Sequence, residues 1–258
     1  MDYEGFKQEI LKMSDIDLSL YKEKQMKRRI DSLIRKNGYD RYDDYVHALL
    51  QDRELYNEFI NYLTINVSEF YRNPDQWEVL RDQIIPMLLQ RSPVPRVWSS
   101  ACSTGDEPYT LAMVLSEHMP LNRIHILASD IDAEALKKAK AGVYSAKSLE
   151  KLPERYIREF FIKDGNSYHV RDELKRCVEF KRINLLRDPY PNECDLIVCR
   201  NVLIYFTEEA KSQIYVKFNK ALKDKGVLFI GSTEQIIMSA RYKLTPVKTF
   251  FYIKDGDI

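Results

Sequence analysis

The residues best suited to chemistry are carboxylates that follow two predicted strands. Asp106 and Glu107 come shortly after a short predicted strand at residues 96–100, and Asp130 comes directly after the next predicted strand. Adjacent carboxylates would repel a pyrophosphate, so this loop favours a ligand that carries positive charge. Asp130 lies where nucleotide-binding βαβ units hold ribose hydroxyls. The alternatives are a solvated helix N-terminus for the first pair and a helix cap for Asp130 or Asp132.

Two other segments place polar side chains beside aromatic ones. Asn201 and Tyr205 follow a predicted strand at residues 195–199, where the amide could bind a ligand and the hydroxyl could hold an acceptor. A second run of hydrogen-bonding residues, at residues 64–72, ends the helical part of the chain. Packing of Tyr205 in the core, and an ordinary capped helix end for residues 64–72, remain the alternatives.

The spacing of apolar residues indicates which elements position these side chains. Apolar residues recur at helical intervals up to residue 70, and no strand-like segment occurs there. From residue 96 onward, short apolar strands alternate with helices, which predicts an open, mostly parallel α/β sheet. We therefore predict an N-terminal helical domain at residues 1–72, a linker at 73–95 and a sheet domain at 96–258. The linker contains one predicted helix, at residues 77–89.

One segment interrupts the strand–helix alternation. Tyr168-His169-Val170 and Val178-Glu179-Phe180 have the composition of short strands, and the charged pair Asp172-Glu173 lies between them. We predict that they form a small antiparallel β insertion near residues 165–182, joined by a turn at that pair.

Composition narrows the classes of function. The 258 residues carry 40 Lys+Arg and 39 Asp+Glu, so no global charge draws the chain to nucleic acid. The four cysteines form no CxxC pair, which argues against a metal site or a disulfide framework. The chain also contains no signal-like N-terminus and no apolar run of the roughly 18 residues that a membrane span needs. A cytoplasmic protein without membrane insertion is expected.

Three sequence blocks stand out: Thr64-x-Asn66-x-Ser68-x-Phe70-Tyr71-Arg72, Ala101-Cys102-Ser103-Thr104-Gly105-Asp106-Glu107-Pro108-Tyr109 and Cys199-Arg200-Asn201-Val202-x-Ile204-Tyr205-Phe206. Together they resemble the signatures of the CheR family of chemotaxis receptor methyltransferases. The resemblance covers nearly the whole chain. Two positions depart from the common pattern: Asp106 stands where many members carry Glu, and Ser68 where many carry Thr. Both substitutions preserve the chemistry of the side chain.

The resemblance implies a Rossmann-like methyltransferase sheet and an S-adenosylmethionine site between the domains. Its implied cofactor contacts are Asn66, Ser68, Arg72, Glu107, Asp130, Asn184, Leu185, Asn201 and Val202. It also implies methyl transfer to glutamate carboxylates on the cytoplasmic helical signalling domains of chemotaxis receptors, in sensory adaptation. Arg72 would orient charge near cofactor and substrate, and Tyr205 would hold the acceptor carboxylate. A monomer without nucleic-acid partners is expected.

A basic helix is the candidate docking surface for the receptor. Positive charge is concentrated between residues 22 and 36, and the residues of interest there are Lys24, Lys27, Arg28 and Arg29. A solvated amphipathic face is the alternative, but the acidic receptor helices that the resemblance implies would suit a basic surface. Two other functions stay open: a methyltransferase of the same fold with another substrate, and a non-catalytic module that senses the cofactor.

Overall fold

The computed structural model describes residues 1–66 and 68–258. These residues form two compact units. The helical unit comprises Met1–Asn66 and Val202–Ile214, and the sheet unit comprises residues 68–201 and Tyr215–Ile258. The domain limits at residues 72 and 95 stay predictions.

The helical unit begins with helices α1 (Tyr3–Ser14), α2 (Glu23–Lys36), α3 (Tyr42–Gln51) and α4 (Arg53–Thr64). Aspartates cap two of these helices: Asp2 accepts from the amide of Gly5, and Asp52 accepts from the amides of Glu54 and Leu55. The all-α N-terminal region that the periodicity predicted is therefore confirmed. Its core is aromatic, with ring centroids 6.1 Å apart for Phe6–Phe59 and 5.8 Å for Tyr45–Phe59.

The sheet unit continues with helices α5 (Pro74–Val79), α6 (Ile85–Leu89), α7 (Asp106–Ser116), α8 (Ala133–Ala141), α9 (Glu154–Phe160) and α10 (Asp172–Lys175). Helix α11 (Glu208–Ala221) contributes residues to both units. The strands are β1 (Val97–Ser99), β2 (Ile126–Asp130), β3 (Val143–Ser145), β4 (Phe161–Asp164), β5 (Ser167–Val170), β6 (Val178–Arg182), β7 (Cys194–Cys199), β8 (Leu222–Ile230), β9 (Leu244–Lys248) and β10 (Phe251–Lys254).

The main sheet has the strand order β6-β2-β1-β7-β8-β10-β9. The pairs from β6 to β8 are parallel, and β10 is antiparallel to both of its neighbours. Every residue of β7 is buried, as expected for a central strand covered on both faces. The predicted open, mostly parallel α/β sheet is confirmed.

The predicted linker helix at residues 77–89 is interrupted. A π-helical segment, Leu80–Ile84, separates α5 from α6. Pro86 lies just beyond it and has no amide hydrogen to donate to the carbonyl four residues earlier, so a regular α-helix cannot continue there. Trp77, Leu80 and Ile84 still recur at helical spacing and are buried in the core of the sheet unit.

The predicted β insertion is correct in kind and wrong in its strands. The small antiparallel sheet has the order β3-β5-β4, so it begins at Val143 and ends at Val170. Val178–Arg182 is instead the edge strand of the main sheet and pairs in parallel with β2. The reason is local, since Asp172 and Glu173 begin a helical turn, α10, instead of a hairpin turn. A hairpin would have joined the two strands, whereas the helical turn lets β6 run parallel to β2.

No helix among residues 1–66 and 68–258 is long and apolar enough to cross a membrane.

Candidate cofactor site

The carboxyl ends of β1, β2, β6 and β7 meet at one edge of the main sheet because these strands are parallel. The last residue of β2, Asp130, and the segments that follow the other three strands provide predicted cofactor contacts, among them Glu107, Asn184, Leu185 and Asn201. The structure therefore brings residues that are far apart in sequence to one edge of the sheet.

The loop after β1 is tied closely to the end of β2. The amide of Ser103, which has a left-handed φ of 47°, donates to Asp130 Oδ2 at 2.8 Å. Gly105 has φ 94° and approaches α8 so closely that a Cβ there would lie 2.9 Å from Ala139 Cβ and 2.8 Å from Tyr144 Oη. Only glycine fits this position without displacing its neighbours.

Asp130 is a buried carboxylate held by backbone amides. It accepts from Ser103 and, through Oδ1, from the amide of Asp132 at 3.0 Å. Burial raises the pKa of Asp130 from 3.8 to about 6, while these amides lower it. The cap of α8 is Asp132, which accepts from the amides of Glu134 and Ala135. The helix-cap alternative thus holds for Asp132 and not for Asp130.

Glu107 is also buried and faces a buried arginine. Its Oε1 accepts from Ser99 Oγ at 2.9 Å, and its Oε2 lies 3.7 Å from Arg200 Nη1. The two side chains are 12% and 2% exposed, so the solvated-helix alternative is wrong for Glu107. Burial raises the pKa of Glu107 from 4.5 to about 7, and the positive charge of Arg200 opposes that rise.

Arg200 was not among the predicted site residues, although it is the most enclosed cation here. Its Nη2 donates to three oxygens of one segment: the carbonyl of Arg72 at 2.8 Å, Asn73 Oδ1 at 3.2 Å and Gln76 Oε1 at 2.9 Å. The guanidinium also lies 5.2 Å from the Trp77 ring centroid and 4.8 Å from that of Phe229. The signal for it was an arginine directly after a strand that is apolar along almost its whole length.

The first signature block contributes Ser68 and Arg72 to the sheet unit. Burial raises the pKa of Asp106, and a hydrogen bond from Ser68 opposes that rise. Arg72 Nε lies 4.0 Å from Glu69 Oε1, and the Arg72 side chain is about one-third exposed. Its positive charge is one of the influences that lower the pKa of Glu107. The positive charge of Arg72 therefore acts on the buried pair of Glu107 and Arg200.

Asn201 is fixed by a residue that the sequence did not indicate. The backbone amide of Asn201 donates to Glu234 Oε2 at 2.6 Å, and Asn201 adopts a left-handed φ of 61°. Glu234 is 5% exposed and lies in the segment after β8. Asparagine adopts this left-handed conformation more readily than most residues, so the residue type suits the backbone of the loop. The carboxylate of Glu234 thus holds the loop that carries Asn201.

Asn184 and Leu185 follow β6 and are both buried. Asn184 Oδ1 accepts from the backbone amide of Leu186 at 3.0 Å, and the backbone amide of Asn184 donates to Asp188 Oδ2 at 2.7 Å. The carbonyl of Leu185 accepts from Tyr190 Oη and from Lys217 Nζ. Hydrogen bonds within the turn and from Lys217 hold this segment, which lies next to the carbonyl of Asp130, the acceptor of the Ile183 amide.

The helical unit holds Asn66, Val202 and Tyr205. Asn66 Nδ2 donates to Thr64 Oγ1 at 3.0 Å. Tyr205 ends a 3-10 turn, and its carbonyl accepts from the amide of Lys22 at 2.9 Å. The core position that was the alternative for this aromatic pair belongs to Phe206, which is 4% exposed and packs against Tyr21, whereas Tyr205 is half-buried.

The basic helix α2 divides its cations between two roles. Lys24, Lys27 and Arg28 are exposed. Arg29 is not, because its guanidinium donates to the carbonyl of Tyr62 at 2.8 Å and lies 4.5 Å from the Tyr62 ring centroid. The structure therefore leaves three of the four predicted docking residues available to solvent and uses the fourth inside the unit.

Comparison with known proteins identifies the family. The model of the CheR methyltransferase all-alpha domain matches residues 1–64, and that of the CheR methyltransferase SAM-binding domain matches residues 66–251. The chain belongs to the CheR methyltransferase family. The chemotaxis protein methyltransferase of Listeria innocua is 46% identical over 254 residues, which are 98% of this chain and 97% of that protein. The one from Escherichia coli is 32% identical, over 95% and 88% of the two chains.

The residues of this CheR methyltransferase fit its cofactor, S-adenosylmethionine. That molecule carries an ammonium and a sulfonium group, and the buried carboxylates Glu107 and Asp130 have pKa values that burial has raised. A buried carboxylate in this condition is stabilised by a positive charge or by hydrogen-bond donors. Ribose hydroxyls are such donors, and an ammonium group supplies both. The chemistry of the donor set therefore matches the cofactor.

Proposed function

We propose that this methyltransferase esterifies glutamate side chains of chemotaxis receptors. The support for the receptor as substrate is the high identity to proteins named chemotaxis protein methyltransferases, over nearly the full length of both chains. The support for a carboxylate as the methyl acceptor comes from the types of side chain at the carboxyl ends of β1, β2, β6 and β7.

Among the described residues, no histidine, the commonest general base, lies at the carboxyl ends of β1, β2, β6 and β7. The four histidines lie elsewhere, in α3, after α7, before β2 and in β5. Glu107 and Asp130 already accept hydrogen bonds from Ser99, Ser103 and Asp132. An amine or alcohol acceptor would need such a base, whereas a glutamate with a pKa near 4.3 is already ionised at pH 7. A carboxylate acceptor fits a site without a histidine base, and it is the acceptor that we propose.

The catalytic task is therefore one of positioning. When bound, S-adenosylmethionine supplies an electrophilic methyl group on a sulfonium. The chain must hold the acceptor oxygen in line with that group, and such positioning can lower a barrier by about 7–11 kcal/mol. We assign the orientation of charge to Arg72 and the holding of the acceptor carboxylate to Tyr205. Neither forms a covalent bond to the substrate, and no proton moves.

The remaining predicted residues would bind the cofactor. Glu107 would take its charged methionine end, and Asp130 its ribose. Asn184 and Leu185 would flank the adenine, and Asn201 and Val202 would close the site. Asn66, Ser68 and Arg72 would reach the cofactor from the first signature block. We further propose that the enzyme acts in the cytoplasm as a monomer, with the exposed cations of α2 contacting acidic receptor helices.

The test is transfer of a radiolabelled methyl group to a cytoplasmic receptor fragment. Methyl esters release volatile methanol in alkali, whereas methylated amines do not, so the released label identifies the bond formed. Mass spectrometry of the fragment then locates the modified glutamates. Label on another class of molecule would favour a different substrate, and cofactor binding without any transfer would favour a non-catalytic sensor.

Variants of the two assigned residues test the roles within that reaction. We expect Arg72→Ala and Tyr205→Phe to lower kcat strongly at saturating cofactor while the unfolding midpoint changes little. The matched control is Arg158→Ala, which removes an exposed arginine of α9 that is 73% accessible. Equal kcat in Arg72→Ala and the wild type would remove Arg72 from catalysis.

A further inference from the structure

The loop that follows β8 is anchored to the candidate site by Glu234. Its carboxylate Oε2 accepts from the amide of Gly231 at 2.9 Å and from the amide of Asn201 at 2.6 Å. A Cβ on Gly231 would lie 2.5 Å from the same oxygen, so the loop can begin in this way only with glycine. One buried carboxylate therefore joins the segment after β8 to the segment after β7.

The other end of this loop is also held. Ile236 is buried, and its amide donates to Tyr252 Oη at 3.2 Å. The carbonyl of Met238 accepts from the amide of Arg241 at 2.9 Å, and Met238 itself adopts a left-handed φ of 55°. A strained conformation of this kind persists only where its surroundings impose it. The loop thus has a defined shape on both sides of its tip.

The tip exposes two adjacent large apolar side chains. Ile237 is 80% exposed and Met238 is 74% exposed, and among the described residues no other large hydrophobic side chain is as exposed. A single exposed apolar residue is ordinary, but an adjacent pair on an anchored loop indicates a contact surface. Ile237 follows Glu234 by three residues, so its backbone lies within about 11 Å of that anchor.

We propose that Ile237 and Met238 form an acceptor-binding surface for apolar side chains beside the target glutamate. The inference rests on the proposed function, because it takes the acceptor to be a glutamate on a helix. Residues three or four positions from that glutamate share its helix face and would reach the enzyme together with it. Apolar contact there would exclude water from the carboxylate, and a dry site favours the combination of opposite charges.

The chemistry of the pair also suits an enzyme with several target glutamates. Methionine has flexible torsions and a polarizable sulfur, so it adapts to differently shaped partners. This surface differs in kind from the cations of α2, since apolar contact is not weakened by salt. Receptor affinity should therefore contain one part that salt screens and one part that it does not.

The test uses the full-length double variant Ile237→Ser/Met238→Ser and the receptor fragment of the methyl-transfer assay. We expect the KM for receptor to rise about tenfold or more, at low and at high salt alike, because a few well-packed residues carry most of the binding energy of an interface. The Kd for S-adenosylmethionine, measured by calorimetry, should stay unchanged. The matched control is Val94→Ser, because Val94 is 46% exposed and precedes β1, so it lies toward the opposite edge of the sheet.

The possible outcomes separate this inference from the function on which it rests. If the wild type transfers methyl groups and the double variant keeps the same KM, the loop inference is wrong and the proposed function stands. If the wild type transfers no methyl group to receptor, both fail. Glu234→Gln provides a second measurement: by loosening the hold on Asn201, it should raise the cofactor Kd as well as the receptor KM. A cofactor Kd that rises without a change in receptor KM would also contradict the loop's role.

Discussion

The sheet unit and helix α2 hold their charges in opposite ways. In the sheet unit, Glu107 and Arg200 have side chains that are 12% and 2% exposed, and each has specific partners. On α2, Lys24, Lys27 and Arg28 are exposed to solvent. The buried charges of the sheet unit lose much of their hydration on folding, whereas the exposed cations of α2 keep theirs.

This difference separates two kinds of recognition. Buried charges interact strongly but carry a desolvation cost, so they must be paired and they respond to each lost partner. Exposed charges are screened by salt and water, and each contributes little. We therefore expect substitutions at the sheet edge to change stability and cofactor affinity, and substitutions on α2 to change the rate at which receptor associates.

The largest expected effect is on stability, from the loss of Arg200. Arg200→Met would leave Glu107 buried without its cation and would free the oxygens of Asn73 and Gln76. Removing one partner of a buried pair costs about 3–5 kcal/mol, and urea unfolding would measure it. Without the arginine, the pKa of Glu107 would rise further, so the loss should grow as pH rises.

The double variant Arg200→Met/Glu107→Gln sharpens this prediction. It removes both charges, so it should recover part of the stability that Arg200→Met loses. Arg158→Ala, on the exposed face of α9, should cost no more than about 1 kcal/mol. An Arg200→Met protein as stable as the wild type at pH 8 would show that the buried pair contributes nothing to the fold.

The next effect in size concerns cofactor affinity at Asp130. Asp130→Ala should weaken S-adenosylmethionine binding by about 1.5–3 kcal/mol, the usual worth of a hydrogen bond to a charged group. Isothermal calorimetry on the folded variant measures it. Asp132→Ala is the matched control, because it removes the cap of α8 and should reduce stability by about 1 kcal/mol while affinity stays the same. Unchanged affinity in Asp130→Ala would exclude Asp130 from the ribose site.

The fold could be predicted where the pattern was long and regular. Helical spacing in the first 64 residues and the apolar run of β7 gave the two kinds of unit correctly. The failure at residues 165–182 came from a short segment whose pairing is not local. Val178–Arg182 has strand character in either arrangement, and only the α10 turn and its pairing with β2 place it in the main sheet. Sequence alone does not show which distant strand a segment joins.

Residues of the candidate site could be predicted where a polar side chain stands at the end of a predicted strand or in the loop that follows it. Asp130 and Asn201 were indicated by position, and Glu107 by its loop. Glu234 could not be found in this way, because it lies four residues beyond its strand and acts through a backbone amide on another segment. Arg200 occurs in the third signature block, but nothing in the sequence shows that Asn73 and Gln76 supply its acceptors.

A smaller effect should appear as a dependence of cofactor affinity on pH. The cofactor's cation would bind the ionised form of Glu107, whose pKa burial raises to about 7. Below that pH, protons compete, so the wild-type Kd should rise by about fivefold as pH falls from 7 to 6, because the ionised fraction falls from about one half to about one tenth. Glu107→Gln should bind more weakly at pH 8 and lose this part of the dependence. A wild-type Kd that is flat between pH 8 and 6 would contradict the role of Glu107.

The smallest expected effect belongs to the exposed cations of α2. Reversing Lys24, Lys27 and Arg28 to Glu should raise the receptor KM by a few-fold at low salt, because each exposed pair contributes about 0.2–1 kcal/mol. The effect should fade as salt rises, since the screening length shrinks from about 10 Å at 0.1 M to about 3 Å at 1 M. Arg29 is left unchanged, because its reversal would break the contact with Tyr62 and confuse binding with folding.

A charge-matched control decides whether the position of these cations matters. Lys137, Lys138 and Lys140 are exposed on α8 in the sheet unit, and reversing them changes the net charge of the protein by the same amount. If α2 docks the receptor, only the α2 variant should raise KM, and its cofactor Kd should equal that of the wild type. If both triple variants raise KM equally, the receptor senses total charge rather than this helix. If neither does, α2 is a solvated face, and receptor recognition lies elsewhere on the protein.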